Sequence, residues 1–179
     1  SYNRGTDLLF GVHRKMDLRC RLAGLYYFTR NAFALKGENM KIIIVGCGKV
    51  GAALTAQLSR EDNLVTVIDT DSIVVRNVSN TYDVMGIVGN GASYQVLQEA
   101  DIEHADLMIA VTKSDEMNLL CCVIAKQAAD CHTIARVRNP MYREEREFIR
   151  KKLGLSMIIN PEHAAAMEMA RLLRFPSAI

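Results

Sequence analysis

The sequence predicts an α/β fold, a Rossmann-type doubly wound six-stranded parallel sheet with helices on both faces. Three observations predict it. Strand-like and helix-like runs alternate six times from Met40 onward, and strict alternation calls for parallel strands joined by helical crossovers. A β-branched run, Ile42-Ile43-Ile44-Val45, leads directly into Gly46-Cys47-Gly48-Lys49-Val50-Gly51. An acid, Asp69, closes the next apolar run 18 positions after Gly51. That is the setting in which a G-x-G-x-x-G turn holds a dinucleotide.

The elements follow in order. Lys41 to Val45 reads as a buried parallel strand, and Gly46 to Gly51 as its turn. Val50 to Arg60 has helical spacing, with Leu54 and Leu58 on one face. Val65 to Asp69 is the second strand, and Ser72 to Asn80 a short helix. Val84 to Val88 is the third strand, followed by Gly89-Asn90-Gly91 and a helix from Ser93 to Ala100. Asp106 to Val111 is the fourth strand, and Ser114 to Ala129 a long helix with a capping pattern at Ser114. Thr133 to Val137 is the fifth strand. Pro140 to Leu153 reads as one helix with proline in its first turn. Met157 to Ile159 and the helix Pro161 to Leu173 complete the series.

Residues 1–39 read differently. They carry scattered arginines and short apolar pieces, Leu8-Leu9-Phe10 and Leu25-Tyr26-Tyr27-Phe28, with no sustained period. The order of a signal peptide is missing. The expectation is a non-native leader or disordered arm over 1–39 and one nucleotide-binding domain over 40–179.

Half the residues are hydrophobic, 23% are charged, and the net charge is +2. This balance suits a globular domain and argues against nucleic acid as a partner. No apolar run approaches the roughly 20 residues that span a bilayer. The five cysteines include no C-x-x-C pair, so neither a disulfide framework nor a zinc site is expected. Cys121 and Cys122 fall in an apolar run and read as small buried hydrophobes. A reducing, cytoplasmic compartment fits this usage.

The candidate chemistry lies at the ends of the strands. Gly46 permits the tight turn, Gly48 lets the backbone approach a pyrophosphate, and Gly51 lets the helix pack closely. The free N–H groups and positive end of that helix face the phosphates. Asp69 can accept both ribose hydroxyls of an adenosine, and its charge repels a 2′-phosphate, which favours NAD over NADP. Thr70 and Asp71 adjoin it; Asp71 reads equally as a helix cap or a second ribose contact. Lys49 reads equally as a phosphate contact or a solvated charge. Gly89, Asn90, Gly91 and Ala92 follow the third strand, and Thr112, Lys113 and Ser114 the fourth. Both segments fall at the carboxyl edge of the sheet, where such folds bind ligands, although turn chemistry alone would account for the glycines.

Catalytic groups are sparse. No tyrosine has a lysine four residues on, and the four histidines form no H-E-x-x-H or close ligand pair. His104 and His132 border strands and read as surface or packing residues. The stretch Tyr142 to Glu147 mixes charges at helical spacings and reads as a solvated face. No catalytic residue and no metal site is assigned from the residues.

The series Lys41 to Gly51, Val67-Ile68-Asp69, Gly89-Asn90-Gly91-Ala92, Ala110-Val111-Thr112 to Asn118, Ala135 to Pro140 and Ile159-Asn160-Pro161-Glu162 resembles the nucleotide-binding lobe of RCK (KTN) domains. That family regulates potassium channels and transporters. The tail Arg171-Leu172-Leu173-Arg174-Phe175-Pro176 is similar to the first such lobe of the peripheral subunit of a Trk-type potassium uptake system. The resemblance implies a non-catalytic regulator that binds NAD or NADH, or ATP or ADP. It implies assembly as a homo-oligomer, a dimer or ring, at the inner face of the cell membrane against a membrane-embedded potassium transporter subunit. It adds Val111, Asn118 and Arg136 to the candidate contacts, Arg136 at a position that faces ligand phosphates. Lys49 stands where related lobes often carry an arginine that meets the terminal phosphate of ATP. Glu162 matches an acid that takes part in cation binding in some relatives.

Two apolar surfaces agree with self-association. One is the helix with Met117, Leu119, Leu120, Cys121, Val123, Ile124 and Ala128; the other is the last helix, with Ala164, Ala165, Met167, Met169, Leu172 and Leu173; the alternative is that both helices are simply core. The competing expectation is the cofactor domain of a truncated NAD-dependent oxidoreductase.

Overall fold

A computed structural model describes residues 39–174. The expectations for 1–38, for Cys20 and for the last five residues lie outside the described residues. The chain divides into two compact units: residues 38–159 form one, and Asn160 onward belongs to the other.

The first unit runs β1 (Lys41–Val45), α1 (Lys49–Leu58), β2 (Leu64–Asp69), α2 (Ser72–Tyr82), β3 (Met85–Val88), α3 (Tyr94–Glu99), β4 (Leu107–Ala110), α4 (Asp115–Ala128), β5 (His132–Arg136), α5 (Arg146–Lys152) and β6 (Met157–Ile159). Short 3-10 turns occupy Ser59–Glu61, Ile102–His104 and Pro140–Tyr142. All neighbouring strands pair in parallel, in the order β3-β2-β1-β4-β5-β6. The expected doubly wound sheet is therefore present. Strand order reverses between β1 and β4, so the switch point lies at their carboxyl ends.

The sequence explains the layering. Ile42, Ile43, Ile44 and Val45 are each at most 2% exposed, because β1 is covered on both faces. On one face, Ile43, Val45, Ile68, Ile87, Met108 and Ala110 pack with Leu97 of α3 and with Cys121, Cys122 and Ala125 of α4. On the other, α1 contributes Leu54 and Leu58, and α2 contributes Val75 and Val78, all buried. Cys121 and Cys122 are packing residues, as their apolar setting suggested. Most of the apolar girth of α4 is used in this core. Met117, Leu119, Val123, Ile124 and Ala128 are partly buried against it, while Leu120 is 47% exposed.

One element differs from its expectation. The helix expected over Pro140 to Leu153 is broken into the 3-10 turn Pro140–Tyr142 and α5. Asn139 caps the turn, its Oδ1 accepting from the N–H of Met141 at 3.0 Å. Arg143, Glu144 and Glu145 are all exposed. With no apolar stripe to bury, nothing holds the intervening residues in a continuous helix. Elsewhere the ends shift by a residue or two, as fraying ends do. In the second unit, α6 (Pro161–Arg174) begins beneath Asn160, whose Oδ1 accepts from the N–H of His163. Among its side chains, Met167, Met169 and Leu173 are exposed.

Candidate nucleotide site at the carboxyl edge of the sheet

The glycine loop leaves β1 with Gly46 at φ +102°, where a Cβ would stand 2.8 Å from the backbone nitrogen of Thr112. The loop is thus wedged against the segment that follows β4. Gly48 is different. Its backbone is extended, with φ −66°, and a Cβ added there would meet nothing within 4 Å. Among the described residues nothing crowds a side chain at 48, so the open space above it is the feature that calls for explanation. A pyrophosphate fills such a space when it approaches the backbone.

Gly48 is also the N-cap of α1, and no side chain caps that helix. No acid lies in its first turn. The two other long helices that begin at this edge are closed. Asp71 caps α2, its carboxylate accepting from the N–H groups of Ile73 and Val74 at 2.9 and 3.2 Å. Ser114 caps α4, its hydroxyl accepting from Met117 at 3.1 Å. The first turn of α1 is thus left without a side-chain cap, with the positive end of the helix dipole behind it.

Asp69 joins the acid to the loop. Its Oδ2 accepts from the N–H of Cys47 at 2.7 Å, and its Oδ1 from the N–H of Asp71 at 3.1 Å. A carboxylate has about four lone-pair positions, so room remains for two ribose hydroxyls. Asp71 uses its own carboxylate as the cap. The N–H of Gly89 donates to the backbone oxygen of Asp69 at 2.9 Å, which draws in the segment after β3. A tight turn forms there, with Asn90 Oδ1 accepting from Ala92 at 2.9 Å. Gly91 lies over the end of β1, where a Cβ would fall 2.3 Å from Val45 Cγ1. Gly46 to Gly51, Asp69 to Asp71 and Gly89 to Ala92 therefore converge on one edge.

The far wall is built by main chain. Asn118 is fully buried. Its Oδ1 accepts from the N–H and the hydroxyl of Thr112, each at 2.7 Å, and its Nδ2 donates to the oxygen of Arg136 at 2.8 Å. Arg136, 7% exposed, donates Nη2 to the oxygen of Thr112 at 2.8 Å. These contacts lock the ends of β4 and β5 together, and they place Asn118 behind the wall rather than on it. Val111 and Cys47 also face inward, at 3% and 4% exposure, and offer main chain to the edge. Lys49, Thr70, Lys113 and Ser114 are exposed there, and Val50 is half-buried.

One supporting residue went unread in the sequence. Asp115 is buried, and its Oδ2 accepts from the N–H groups of Arg138 and Asn139 at 2.8 and 2.7 Å. Arg138 in turn donates to the oxygen of Lys113. The signal was an acid at the first position of a helix, but its partners are more than twenty residues away.

Burial, and secondarily the charge of Asp69, pushes the Cys47 thiol up to about 12. Burial also raises Cys121 to about 12, and lifts Cys122 and Cys131. A folded state that holds thiols neutral above their ordinary value of 9.0 is stable below that pH and loses stability as pH rises toward 12. In a Cys20→Ser background, a thiol-reactive dye at pH 8 is expected to label the folded chain slowly and the guanidinium-unfolded chain at once. Equal rates would show that these thiols are accessible.

Among the described residues, no group of three or more metal-ligating side chains is assembled. Glu162 is exposed in the first turn of α6. His104 bonds Asp101, and His132 bonds Ser156, so neither stands at this edge.

Comparison with known proteins agrees with the geometry. The family model of the TrkA-N domain matches residues 42–161. The Trk system potassium uptake protein TrkA of Halomonas elongata is 37% identical over 142 residues, covering 78% of this chain and 31% of that protein. The chain thus spans about a third of that relative's length. The crystal structure of the TrkA-N domain of the inner membrane protein ybaL from Escherichia coli is 25% identical, with a TM-score of 0.66 over 76% of this chain and 98% of that one. GsuK bound to ADP has a TM-score of 0.67 at 23% identity, over 88% of this chain and 39% of that one. The GsuK channel bound to NAD has a TM-score of 0.58 at 17% identity, over 75% and 26%. The matched residues 42–161 run from β1 through the glycine loop and Asp69 to the first residue of α6, and on that match the chain belongs to the TrkA-N domain family.

Proposed function

We propose that this chain is the nucleotide-sensing part of a regulatory subunit of a Trk-type potassium uptake system. It binds NAD or NADH, or ATP or ADP, at the carboxyl edge of the sheet and carries out no chemistry on the ligand. The observation that carries the reading is the open space at Gly48 in front of an uncapped helix, with Asp69 anchored beside it. The pyrophosphate would sit against the first turn of α1, the adenosine ribose on Asp69, and the adenine toward Gly89 to Ala92. Lys49 and Lys113 supply exposed positive charge at the mouth. Support for the ligand class comes from GsuK, crystallised with ADP and with NAD. Support for the potassium system comes from the TrkA relatives.

In this reading the subunit works as a homo-oligomer, a dimer or ring, held at the inner face of the membrane by a potassium transporter subunit. A nucleotide shifts an assembly only as far as its affinities for the two arrangements differ, about 1.4 kcal/mol for each factor of ten. The sensor needs no catalytic group for this, only a loop whose contacts change on binding. No helix among the described residues is long and apolar enough to cross a membrane, so the membrane contact is assigned to the partner.

Calorimetric titration with NAD, NADH, ATP and ADP tests the reading, and the absence of any binding would end it. Incubation with NADH and carbonyl substrates is expected to show no oxidation above buffer; steady turnover would restore the dehydrogenase alternative. Asp69→Ala is expected to weaken NAD binding tenfold to a hundredfold or more, because hydrogen bonds to a charged group are worth about 1.5–3 kcal/mol. It also removes the acceptor of the Cys47 and Asp71 N–H groups, so thermal unfolding must be followed beside affinity. Unchanged affinity in the folded variant would take Asp69 out of the site.

A further inference from the structure

The edge opposite the glycine loop carries an open cleft of about 570 Å³. It runs across the amino ends of β1, β2 and β3, and its floor is apolar, with Ile42, Val65 and Val84 among the lining residues. Leu64 and Met85 stand at its rim, 60% and 55% exposed. Large aliphatic side chains exposed together at a concave surface mark a contact site more often than isolated ones do.

The surroundings of the cleft are acidic. Asp62 and Asp83 are the C-caps of the Ser59–Glu61 turn and of α2, Asp101 is the N-cap of the Ile102–His104 turn, and each is held with positive φ, at 57°, 53° and 59°. The carboxylates of Asp62 and Asp83 add to the negative ends of their segments. Glu61 and Asp106 lie in the same set of loops. Among the described residues the cations there are Lys41, whose Nζ is already bound to Asp101 at 3.0 Å, and Arg60. His104 also bonds Asp101.

We propose that this cleft docks a Lys/Arg-rich segment of a membrane partner, with its aliphatic residues on Leu64, Met85 and the floor and its cations on Asp62, Asp83 and Asp101. The inference rests on the regulatory reading above for the identity of that partner. Cytoplasmic loops of membrane proteins carry an excess of Lys and Arg close to the bilayer, which is the charge this edge complements. Nucleotide and partner would then engage opposite ends of the same strands, β1 and β2.

The test uses the whole chain and a short fluorescent peptide of alternating Lys and Leu, read by anisotropy at physiological salt. Peptides of alternating Lys and Ser, and of Glu and Leu, serve as comparisons. The Lys–Leu peptide is expected to bind, and to bind at least tenfold more tightly than either comparison. Combined Asp62→Asn, Asp83→Asn and Asp101→Asn removes the charge with a residue that tolerates positive φ. It is expected to weaken binding roughly tenfold and to leave nucleotide affinity unchanged. Equal binding of the Glu–Leu peptide, or full binding by the triple variant, would overturn the proposal. So would a change of oligomeric state in the triple variant by light scattering, which would assign the cleft to a second copy of this chain. Loss of nucleotide binding by the unmodified chain would end the sensor reading while leaving the peptide result to stand by itself.

Discussion

Gly51→Ala is expected to destabilise the chain by about 3 kcal/mol or more, at the upper end of overpacking costs. The added Cβ would fall 1.8 Å from the backbone oxygen of Gly46 and 3.4 Å from Val111 Cγ2. A backbone carbonyl cannot turn aside as a side chain can. Gly46 cannot retreat either, because it is itself wedged against Thr112 at φ +102°. The strain must therefore move α1 off the end of β1 or open the loop. For a domain of this size the melting temperature should fall by roughly 6–12 °C, read by circular dichroism without nucleotide. Gly48→Ala is the control. It places a methyl group in open space on extended backbone, so its loss is confined to the poorer N-cap that alanine makes, about 1 kcal/mol or less, a fall of no more than roughly 2–4 °C. A Gly51→Ala protein that melts with the parent would mean that this loop is not held as the structure has it.

These two glycines show what could be read in the sequence and what could not. The fold was legible because its signals are local. A β-branched run buried on both faces, a helix with Leu54 and Leu58 on one side, and six repeats of that rhythm leave few topologies. That the glycine loop and Asp69 meet at one edge was legible for the same reason, since they mark the ends of adjacent strands. The roles within the site were less so. Asp71 is a cap, which its position two residues before Ile73 allowed but did not decide against ribose binding. Asn118 fell in the matching motif series, yet its amide is turned inward to Thr112 and Arg136. Asp115 carries no local signal of its role, because its partners, Arg138 and Asn139, come from the next crossover. Contacts between distant segments depend on strand order, and strand order is not written at any one residue. The break between Pro140–Tyr142 and α5 escaped notice because proline and mixed charges suit a helix start. What decides there is the lack of an apolar face to bury.

Gly48→Asp should separate the fold from the function more sharply than any truncation of Asp69. Gly48 is the N-cap of α1 in extended conformation, and aspartate is among the best residues for that position. Its charge also suits the positive end of the helix. With nothing within 4 Å of the new Cβ, the variant should be as stable as the parent or gain about 0.5–1 kcal/mol, a rise of roughly 1–4 °C. The residue that best serves the helix should be the worst for the ligand. Its carboxylate occupies the space in front of the first-turn N–H groups and opposes the negative pyrophosphate there. Affinity for NAD, NADH, ATP and ADP is expected to fall at least a hundredfold, close to 2.7 kcal/mol. Calorimetry on the purified chain reads the second effect and thermal unfolding the first. A variant that is destabilised would mean that the space above Gly48 is not open. One that binds nucleotide normally would mean that the pyrophosphate lies elsewhere. On the regulatory reading proposed above, a subunit that carries this chain restores potassium uptake in cells lacking it, and Gly48→Asp is expected to abolish that rescue; normal rescue by a folded Gly48→Asp protein would show that nucleotide sensing at this edge does not govern transport.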